Sequence, residues 1–518
     1  MKTKTIKKEI KETNKKEIKE KKVNMTNEKS ICKKGLSLQD CELAILRQAV
    51  DLAETKMGQR VVNTPEVQDM ISTVEDFLKR KNLICYGGVA IDALLPEQDK
   101  IYNKDVELSD YDFFSANALD DAKELANIYF KKGYSEVEAK SGAHHGTYKV
   151  FVNFLGVADI TSIPKDLFDT LKKEAVRVGG ILYVPPNYLR MSMYLELSRP
   201  AGDISRWEKV WKRLSLINKY YPLTDKQCSK IDFQRKIGDD TNEEKQIQIY
   251  ETVKNAFIHQ GCVFFGGYAI SQYSQYMPKN LQKSLQKIPD FDVLSNDPET
   301  TSEIVKERLK DIGESNVKII IHEPFGEIIP IHYEIKVNDD TVAFIYKPIG
   351  CHSYNIIEKD KEHIKIATID TMLSFYLAFL YVNKGYYDPD RIICMSKFLF
   401  DVQEKNRLEQ KGLLKRFSIN CYGHQESVEE MRADKAKKFK DLSGKRGTRE
   451  YDEWFLSYKP GQKDNEIKKQ HYNSRSDNRP ASKTIRPIRP NRPNATRKNK
   501  KRTNKDWGLF YKKSRRRF

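Results

Sequence analysis

Three aspartates, Asp110, Asp112 and Asp159, and one pair of glycines, Gly87-Gly88, have the types and spacing that could do chemistry in this chain. Ser109-Asp110-Tyr111-Asp112-Phe113-Phe114 alternates as a strand does, which puts both carboxylates on one face and Tyr111 and Phe113 on the other. Two like charges side by side in a sheet repel unless a divalent cation lies between them. Asp159 stands mid-strand among apolar neighbours, where a carboxylate has no packing role, and would share a face with Val157 and Thr161. A third carboxylate completes the shell of a two-ion phosphoryl-transfer site and takes or steers the proton of the attacking hydroxyl. Gly87-Gly88 follows a short apolar run, 83–86, and precedes an apolar segment of helical spacing that stops at Pro96. Glycines at such a junction let backbone N–H groups approach a phosphate at the positive end of a helix. A lone glycine pair or a lone Asp-x-Asp is a weak signal. Strand, glycine pair and helix, followed 23 residues after Gly87 by Asp-x-Asp on a strand, is much more specific. It describes a site for a nucleoside triphosphate and two divalent ions.

The elements that must hold these residues can be read around them. Ser37 offers an N-cap for a helix ending near Gly58. Thr64-Pro65 starts another, whose Val67, Met70, Ile71, Val74, Phe77 and Leu78 form one apolar stripe. The spacing predicts a helix over 118–130, then a strand over 148–153, a tight turn at Leu155-Gly156 and the strand 157–163. From 188 to 216 the chain reads as helical and carries Arg199, Arg206, Lys209, Lys212 and Arg213. Cations there could reach a triphosphate, and Lys209 and Arg213 are the candidates taken forward.

The runs YGGVAIDALLP, LSDYDFFS, ADITSIP, PPNYLRMSMYLELSRP and SRWEKVWKRL resemble the poly(A) polymerase catalytic subunits of nucleocytoplasmic large DNA viruses, giant viruses and poxviruses included. These belong to the nucleotidyltransferase superfamily of DNA polymerase beta. The resemblance covers residues 30–400 or thereabouts. It implies template-independent addition of AMP from ATP to mRNA 3′ ends, with two Mg²⁺ or Mn²⁺ ions. Asp110, Asp112 and Asp159 match the metal-binding triad. Gly87 and Gly88 match the phosphate loop, with Ser109 beside it. RNA 3′ ends and ATP are the implied partners, with no membrane and with a homodimer or a processivity partner left open. The implied location is the viral factory of the host cytoplasm, with packaging into the virion as an extension of it. Another RNA nucleotidyltransferase, CCA-adding or uridylyl, shares the same motifs. A nonenzymatic RNA-binding or virion protein with a relic fold is the alternative of a different class.

The second half repeats the first. An apolar run enters Gly266-Gly267, Tyr268-Ala269-Ile270 answers Val89-Ala90-Ile91, and Pro289-Asp290-Phe291-Asp292-Val293 answers 109–113. Aligning YKVFVNFLGVADITSIP with HYEIKVNDDTVAFIYKP puts Phe344 opposite Asp159. A phenylalanine cannot bind Mg²⁺, so the second copy reads as degenerate. A shift of a few residues would offer Asp339 or Asp340 instead.

Charge separates tails from body. The chain has 518 residues and a formal net charge of +19. Residues 1–30 hold 11 Lys against 5 Glu, and 471–518 hold 17 Lys and Arg against 2 Asp, which leaves the body nearly neutral. IRPIRPNRPNATRKNKKR is suited to tracking phosphates rather than packing a core. The eight cysteines lack any CxxC and read as buried thiols in a reducing compartment. His144-His145 reads as a loop pair, and the longest apolar run, 372–382, is too short to span a bilayer. The expected fold is α/β (α+β) with two tandem nucleotidyltransferase-like domains, the second degenerate, and basic disordered tails. The expected divisions are 1–30 as basic tail, 31–235 as catalytic domain, 236–400 as degenerate copy, 401–460 as helical extension and 461–518 as Arg/Pro-rich tail.

Overall fold

The computed structural model describes residues 37–462 apart from 63, 104–109, 225–227, 229–230, 232, 234–242, 278, 280–287, 360 and 383. Ser109 and nearly all of both basic tails lie outside the described residues. Helix α1 (Leu38–Val62) begins where Ser37 accepts the Asp40 N–H and runs on past Gly58. Helix α2 (Pro65–Lys81) is capped by Thr64, buries Val67, Met70, Val74, Phe77 and Leu78, and ends at Asn82 in the left-handed region. That reversal delivers the chain into strand β1 (Ile84–Cys85), then α3 (Gly87–Leu94), β2 (Tyr111–Ser115) and α4 (Ala118–Lys131). Strands β3 (Val137–Ser141), β4 (Thr147–Val152) and β5 (Leu155–Ser162) follow. The β4–β5 turn sits at Asn153-Phe154, with φ of 48° and 66°, and not at Leu155-Gly156. Two positive φ values in a two-residue loop match the twist of the flanking strands. Helix α5 (Lys165–Glu174), β6 (Val176–Val178), β7 (Ile181–Tyr183), α6 (Pro186–Leu197) and α7 (Trp207–Tyr220) complete this half.

The second half runs α8 (Glu243–His259), β8 (Val263–Phe264), α9 (Gly267–Ser271), β9 (Phe291–Leu294), α10 (Pro298–Asp311), β10 (Val317–His322), β11 (His332–Val337) and β12 (Asp340–Tyr346). It continues with β13 (His352–Lys359), β14 (Glu362–Ala367), α11 (Ile369–Phe379) and α12 (Pro389–Lys405). The expected helical extension over 401–460 is helical only in part: after α12 ends at Lys405 the chain runs through turns and one short 3-10 segment to 420. Strand β15 (Cys421–Tyr422), α13 (Val428–Asp441), α14 (Arg449–Phe455) and β16 (Ser457–Tyr458) close the described chain.

The strands form two sheets, in the orders β16-β3-β4-β5-β2-β1-β7-β6 and β10-β11-β12-β9-β8-β14-β13-β15. From β3 to β6 and from β10 to β13 the two orders correspond strand by strand. The directions correspond too: β1 and β2 are antiparallel like β8 and β9, and β2 and β5 are parallel like β9 and β12. Helices α2 and α4 pack on one face of the first sheet, which leaves the face bearing Asp112 and Asp159 open. A single hydrophobic core runs through both halves, and α11, every residue of which is buried, packs against α6 to join them. The apolar run 372–382 is thus mostly an interior helix. Among the described residues no helix is long and apolar enough to cross a membrane.

The cysteines correct the reading of buried thiols throughout. Cys85 and Cys262 are free and buried, but Cys228 is bonded to Cys394 and Cys351 to Cys421. The partners lie 166 and 70 residues apart, so only the folded chain brings them together.

Candidate active site

The site is built where three strands of the first sheet meet the start of α3. Tyr111 and Phe113 point into the core, and Asp112 takes the other face, as a period of two requires. Asp110 precedes the strand at an exposed position, with its carboxylate oxygens 3.5 Å from where a Cβ on Gly156 would stand. Asp112 and Asp159 are register partners across the parallel β2–β5 pair, so their side chains emerge side by side. The three carboxylates therefore share one open face.

That crowding is visible in their protonation. Burial and then the Asp159 charge raise the carboxyl pKa of Asp110, against the pull of Lys149. Burial, Asp159 and Asp110 push Asp112 up to about 6, although Lys149 and Arg206 oppose the shift. The Lys149 ammonium donates to the Asp159 carboxylate from the adjacent strand. Lys149 thus supplies part of the positive charge that the face lacks. The all-oxygen donor set suits Mg²⁺ or Mn²⁺. As the side chains stand, no three His, Cys, Asp or Glu among the described residues converge closely enough to cage an ion. The Lys149 ammonium occupies the Asp159 carboxylate, so an ion held there would have to displace it.

The crowding gives a stability prediction with a definite sign. An Asp whose folded pKa lies above its unfolded value binds more proton in the native state, so stability falls as pH rises from about 4 to 6. Above that window the full penalty remains. Two pKa units correspond to about 3 kcal/mol, and partial exposure of Asp112 reduces this to about 1–2 kcal/mol. Asp112→Asn should therefore melt a few degrees higher than wild type at pH 7.5 in EDTA, with the gain vanishing near pH 4. A variant melting lower at pH 7.5 would mean that Asp112 is held by attractive contacts instead.

The glycine turn is tied to the same carboxylates. Tyr86 donates its N–H to the Asp112 carbonyl at 2.9 Å, and Gly87 then takes φ of 67°. A Cβ at Gly87 would meet the left-handed penalty and lie 2.9 Å from Asp112 Oδ2. A Cβ at Gly88 would fall 2.1 Å from the Tyr102 hydroxyl, so any side chain there would have to displace Tyr102. The backbone of both residues opens the N-terminal turn of α3. The Tyr86 ring stacks on Phe114 at 4.0 Å, and its hydroxyl lies 2.9 Å from Thr161 Oγ1, which braces the turn against β5.

The predicted cations separate into distinct roles. Arg213 donates to the Tyr102 hydroxyl at 2.9 Å and lies over its ring, so it stands beside Gly88. Lys209 is one turn earlier on the same flank of α7, at an exposed position. Arg206 pairs with Glu196 at 3.2 Å and acts on the Asp112 charge. Lys212 points outward to Glu208, and Arg199 reaches the Ile349 carbonyl of the second half. Ser109 falls outside the described residues. The sequence gives Thr161 only a place on the Asp159 face and gives Lys149 and Tyr102 no role. A bulge between Val150 and Phe151 sets the register that pairs Lys149 with Asp159, and no local pattern announces it.

The second sheet lacks this arrangement. In the matching register Asp292 faces Phe344, and neither Asp339 nor Asp340 takes that place. Phe344 is wholly buried, 4.9 Å from the Tyr386 ring and 5.9 Å from that of His332. Asp290 and Asp292 are buried as well. Gly266 has φ of −87°, unlike Gly87, and α9 is five residues long where α3 has eight. The carboxylate face, the glycine turn and the helix behind it have all changed.

Comparison with known proteins bears on this geometry. Residues 72–203 match the family model of the poly(A) polymerase catalytic subunit, a span containing both glycines and all three aspartates. A poly(A) polymerase catalytic subunit of African swine fever virus (isolate Tick/Malawi/Lil 20-1/1983) is 33% identical over 171 residues, 32% of this chain and 36% of that protein. One from Acanthamoeba polyphaga mimivirus is 25% identical over 354 residues, 62% of this chain and 58% of that protein. The matches thus span about a third to somewhat over half of those relatives. The crystal structure of the Megavirus polyadenylate synthase aligns with a TM-score of 0.68 at 20% identity, covering 86% of this chain and 92% of that one, and shares its mixed α/β fold. The resemblance read from the glycine turn and the aspartates is therefore borne out: this chain is similar to the poly(A) polymerase catalytic subunits of large DNA viruses, most specifically over residues 72–203.

Proposed function

We propose that this chain is a template-independent poly(A) polymerase that adds AMP from ATP to the 3′ ends of mRNA by a two-metal mechanism. The observation that carries the reading is the open face on which Asp112 and Asp159 are register partners, with Asp110 beside them and the Gly87-Gly88 turn against them. Two divalent ions bound there would polarise the α-phosphate, lower the pKa of the RNA 3′-hydroxyl and stabilise the departing pyrophosphate. The chain's own residues hold and orient the reactants. Asp110 and Asp112 would hold both ions, and Asp159 would bind the catalytic one. With Lys149 displaced, the Asp159 carboxylate would take or steer the proton of the RNA 3′-hydroxyl. Backbone N–H groups at Gly87 and Gly88 receive the β- and γ-phosphates, and Arg213, steered by Tyr102, adds positive charge beside them. In this reading the halves form a catalytic and a degenerate domain, 31–235 and 236–400.

Incubation with Mg²⁺, a single-stranded RNA primer and each nucleoside triphosphate separately tests the reading. Extension with ATP alone is expected. Extension with CTP or UTP instead points to CCA addition or uridylation, and none with any of the four points to a nonenzymatic RNA-binding protein. The degenerate domain has its own test. Asp290→Asn with Asp292→Asn should leave single-nucleotide addition within about threefold of wild type, because Phe344 already denies that sheet its third ligand. Loss as deep as that of Asp110→Asn, in a folded double variant, would give the second sheet a catalytic part.

A further inference from the structure

The segment after α12 lends the core Leu414 and Leu456, but its helix α13 lends none. Helix α13 buries none of its residues; Phe439 packs against Tyr451 and Phe455 of α14, and the rest of the helix is half-buried or exposed. Between 432 and 449 the chain carries eight Lys and Arg against two Asp. Some of these charges are spent: Lys445 pairs with Glu450 at 2.8 Å, and Arg449 with Asp120 and Glu453 at 2.9 and 3.3 Å. Arg432, Lys437, Lys438 and Lys440 are exposed, and among the described residues no carboxylate pairs with them. Helix α13 itself carries five Lys and Arg against Glu429, Glu430, Asp434 and Asp441; both Glu lie in its first turn, where Glu430 caps Ser427, so the positive excess gathers from Arg432 onward and over the turn to Arg446.

It is also fixed beside the carboxylate face. Strand β16 pairs with β3 and extends the first sheet at that edge. Lys435 donates to the Gly142 carbonyl at 2.7 Å, at the tip of the β3–β4 hairpin. His145, in the same tip, stacks on Trp454 at 3.9 Å, and Lys438 lies 5.5 Å from the Trp454 ring. The tip leads directly back to the site. The Thr147 and Thr161 hydroxyls are 3.1 Å apart, and Thr161 lies two residues beyond Asp159 on the same face, about 7 Å along the strand. Lys149, and Lys140 over the Phe151 ring at 4.2 Å, continue the cationic and aromatic surface across β4 and β3. Acidic groups do face it. Glu453 and Glu327 act on His145, Glu138 pairs with Lys140 at 3.5 Å, and four carboxylates lie on α13 itself, but Glu453 is held by Arg449, and 432–446 keeps seven Lys and Arg against two Asp.

We infer that α13, with the His145–Trp454 stack, is a clamp for single-stranded RNA, holding the phosphates of the primer upstream of its 3′ end. Basic side chains interleaved with stackable rings, on a surface continuous with a phosphoryl-transfer site, fit a flexible polyanion that must slide as it grows. The clamp rests on the proposed RNA substrate and deepens it by saying where the strand leaves the site.

The test uses the full chain and binding without any nucleotide, so its outcome is separate from which nucleotide is added. Lys437→Gln, Lys438→Gln and Lys440→Gln are combined, with the triple Lys→Arg variant as the charge-preserving control. Affinity for a labelled single-stranded RNA of about 20 nucleotides should fall about tenfold or more in the Gln variant, and log Kd should depend on log salt with a slope shallower by about 2. The Arg variant should bind as wild type does. Single-nucleotide addition to a saturating trinucleotide should keep its rate. An unchanged salt slope would overturn the clamp and assign the helix to a protein partner. An equal loss of affinity for the trinucleotide would overturn it as well, because the charges would then act only as a general field.

Discussion

Asp159→Asn is expected to lower the rate of single-nucleotide addition by about a thousandfold or more, with Asp110→Asn and Asp112→Asn at least as damaging. The substitution keeps size and hydrogen bonding and removes only the negative charge. In the proposed reaction that charge holds the ion that activates the attacking hydroxyl, and a loss of several kcal/mol of transition-state stabilisation follows. Lys149 sharpens the expectation. Its ammonium sits on Asp159, and with Asn there it loses its ionic partner while remaining beside the metal positions. RNA affinity and melting behaviour should stay near wild type, because Asp159 is on an open face and not in the core. Addition by Asp159→Asn within tenfold of wild type would show that the third ligand lies elsewhere.

The second large effect is on stability. Phe344→Asp would rebuild the missing third carboxylate in the second sheet, opposite Asp292. Phe344 is wholly buried, packed among Tyr386, His332 and Tyr346. Removing a buried Phe costs about 3–5 kcal/mol, and an unpaired carboxylate in its place adds more. Asp290 and Asp292 are buried nearby, which makes a third negative charge harder still to accommodate. The expected result is a variant that melts at least about 10 °C lower, or does not fold, and gains no metal site. A stable Phe344→Asp protein that binds Mn²⁺ at the second sheet would mean that this sheet is only one residue away from function, not rebuilt as structure.

Local patterns made the site readable. Asp110, Asp112 and Asp159 announce themselves because strand periodicity assigns each a face, and Gly87-Gly88 because a strand must turn there into a helix. Phe344 opposite Asp159 followed from matching two strand patterns, and the pairing of Asp292 with Phe344 has that register. What escaped has no local signature. The turn at Asn153-Phe154 was displaced by two residues because asparagine and phenylalanine at positive φ are a weaker signal than a glycine. Tyr102 reaches Gly88 through the fold-back of the chain after α3 and meets Arg213 across 111 residues. The disulfides depend on contacts over 166 and 70 residues. The return of 457–458 to the edge of β3 spans more than 300 positions, so the place of α13 beside the carboxylates has no local signature.

Counting bound Mn²⁺ in the presence of a non-hydrolysable ATP analogue tests the central claim most directly, because it asks which sheet holds the ions. Wild type and the Asp290→Asn, Asp292→Asn double variant should each bind about two Mn²⁺ per chain, and Asp159→Asn should bind fewer. Loss of Mn²⁺ in the double variant, with full occupancy retained in Asp159→Asn, would contradict it and move the metal centre to the second sheet.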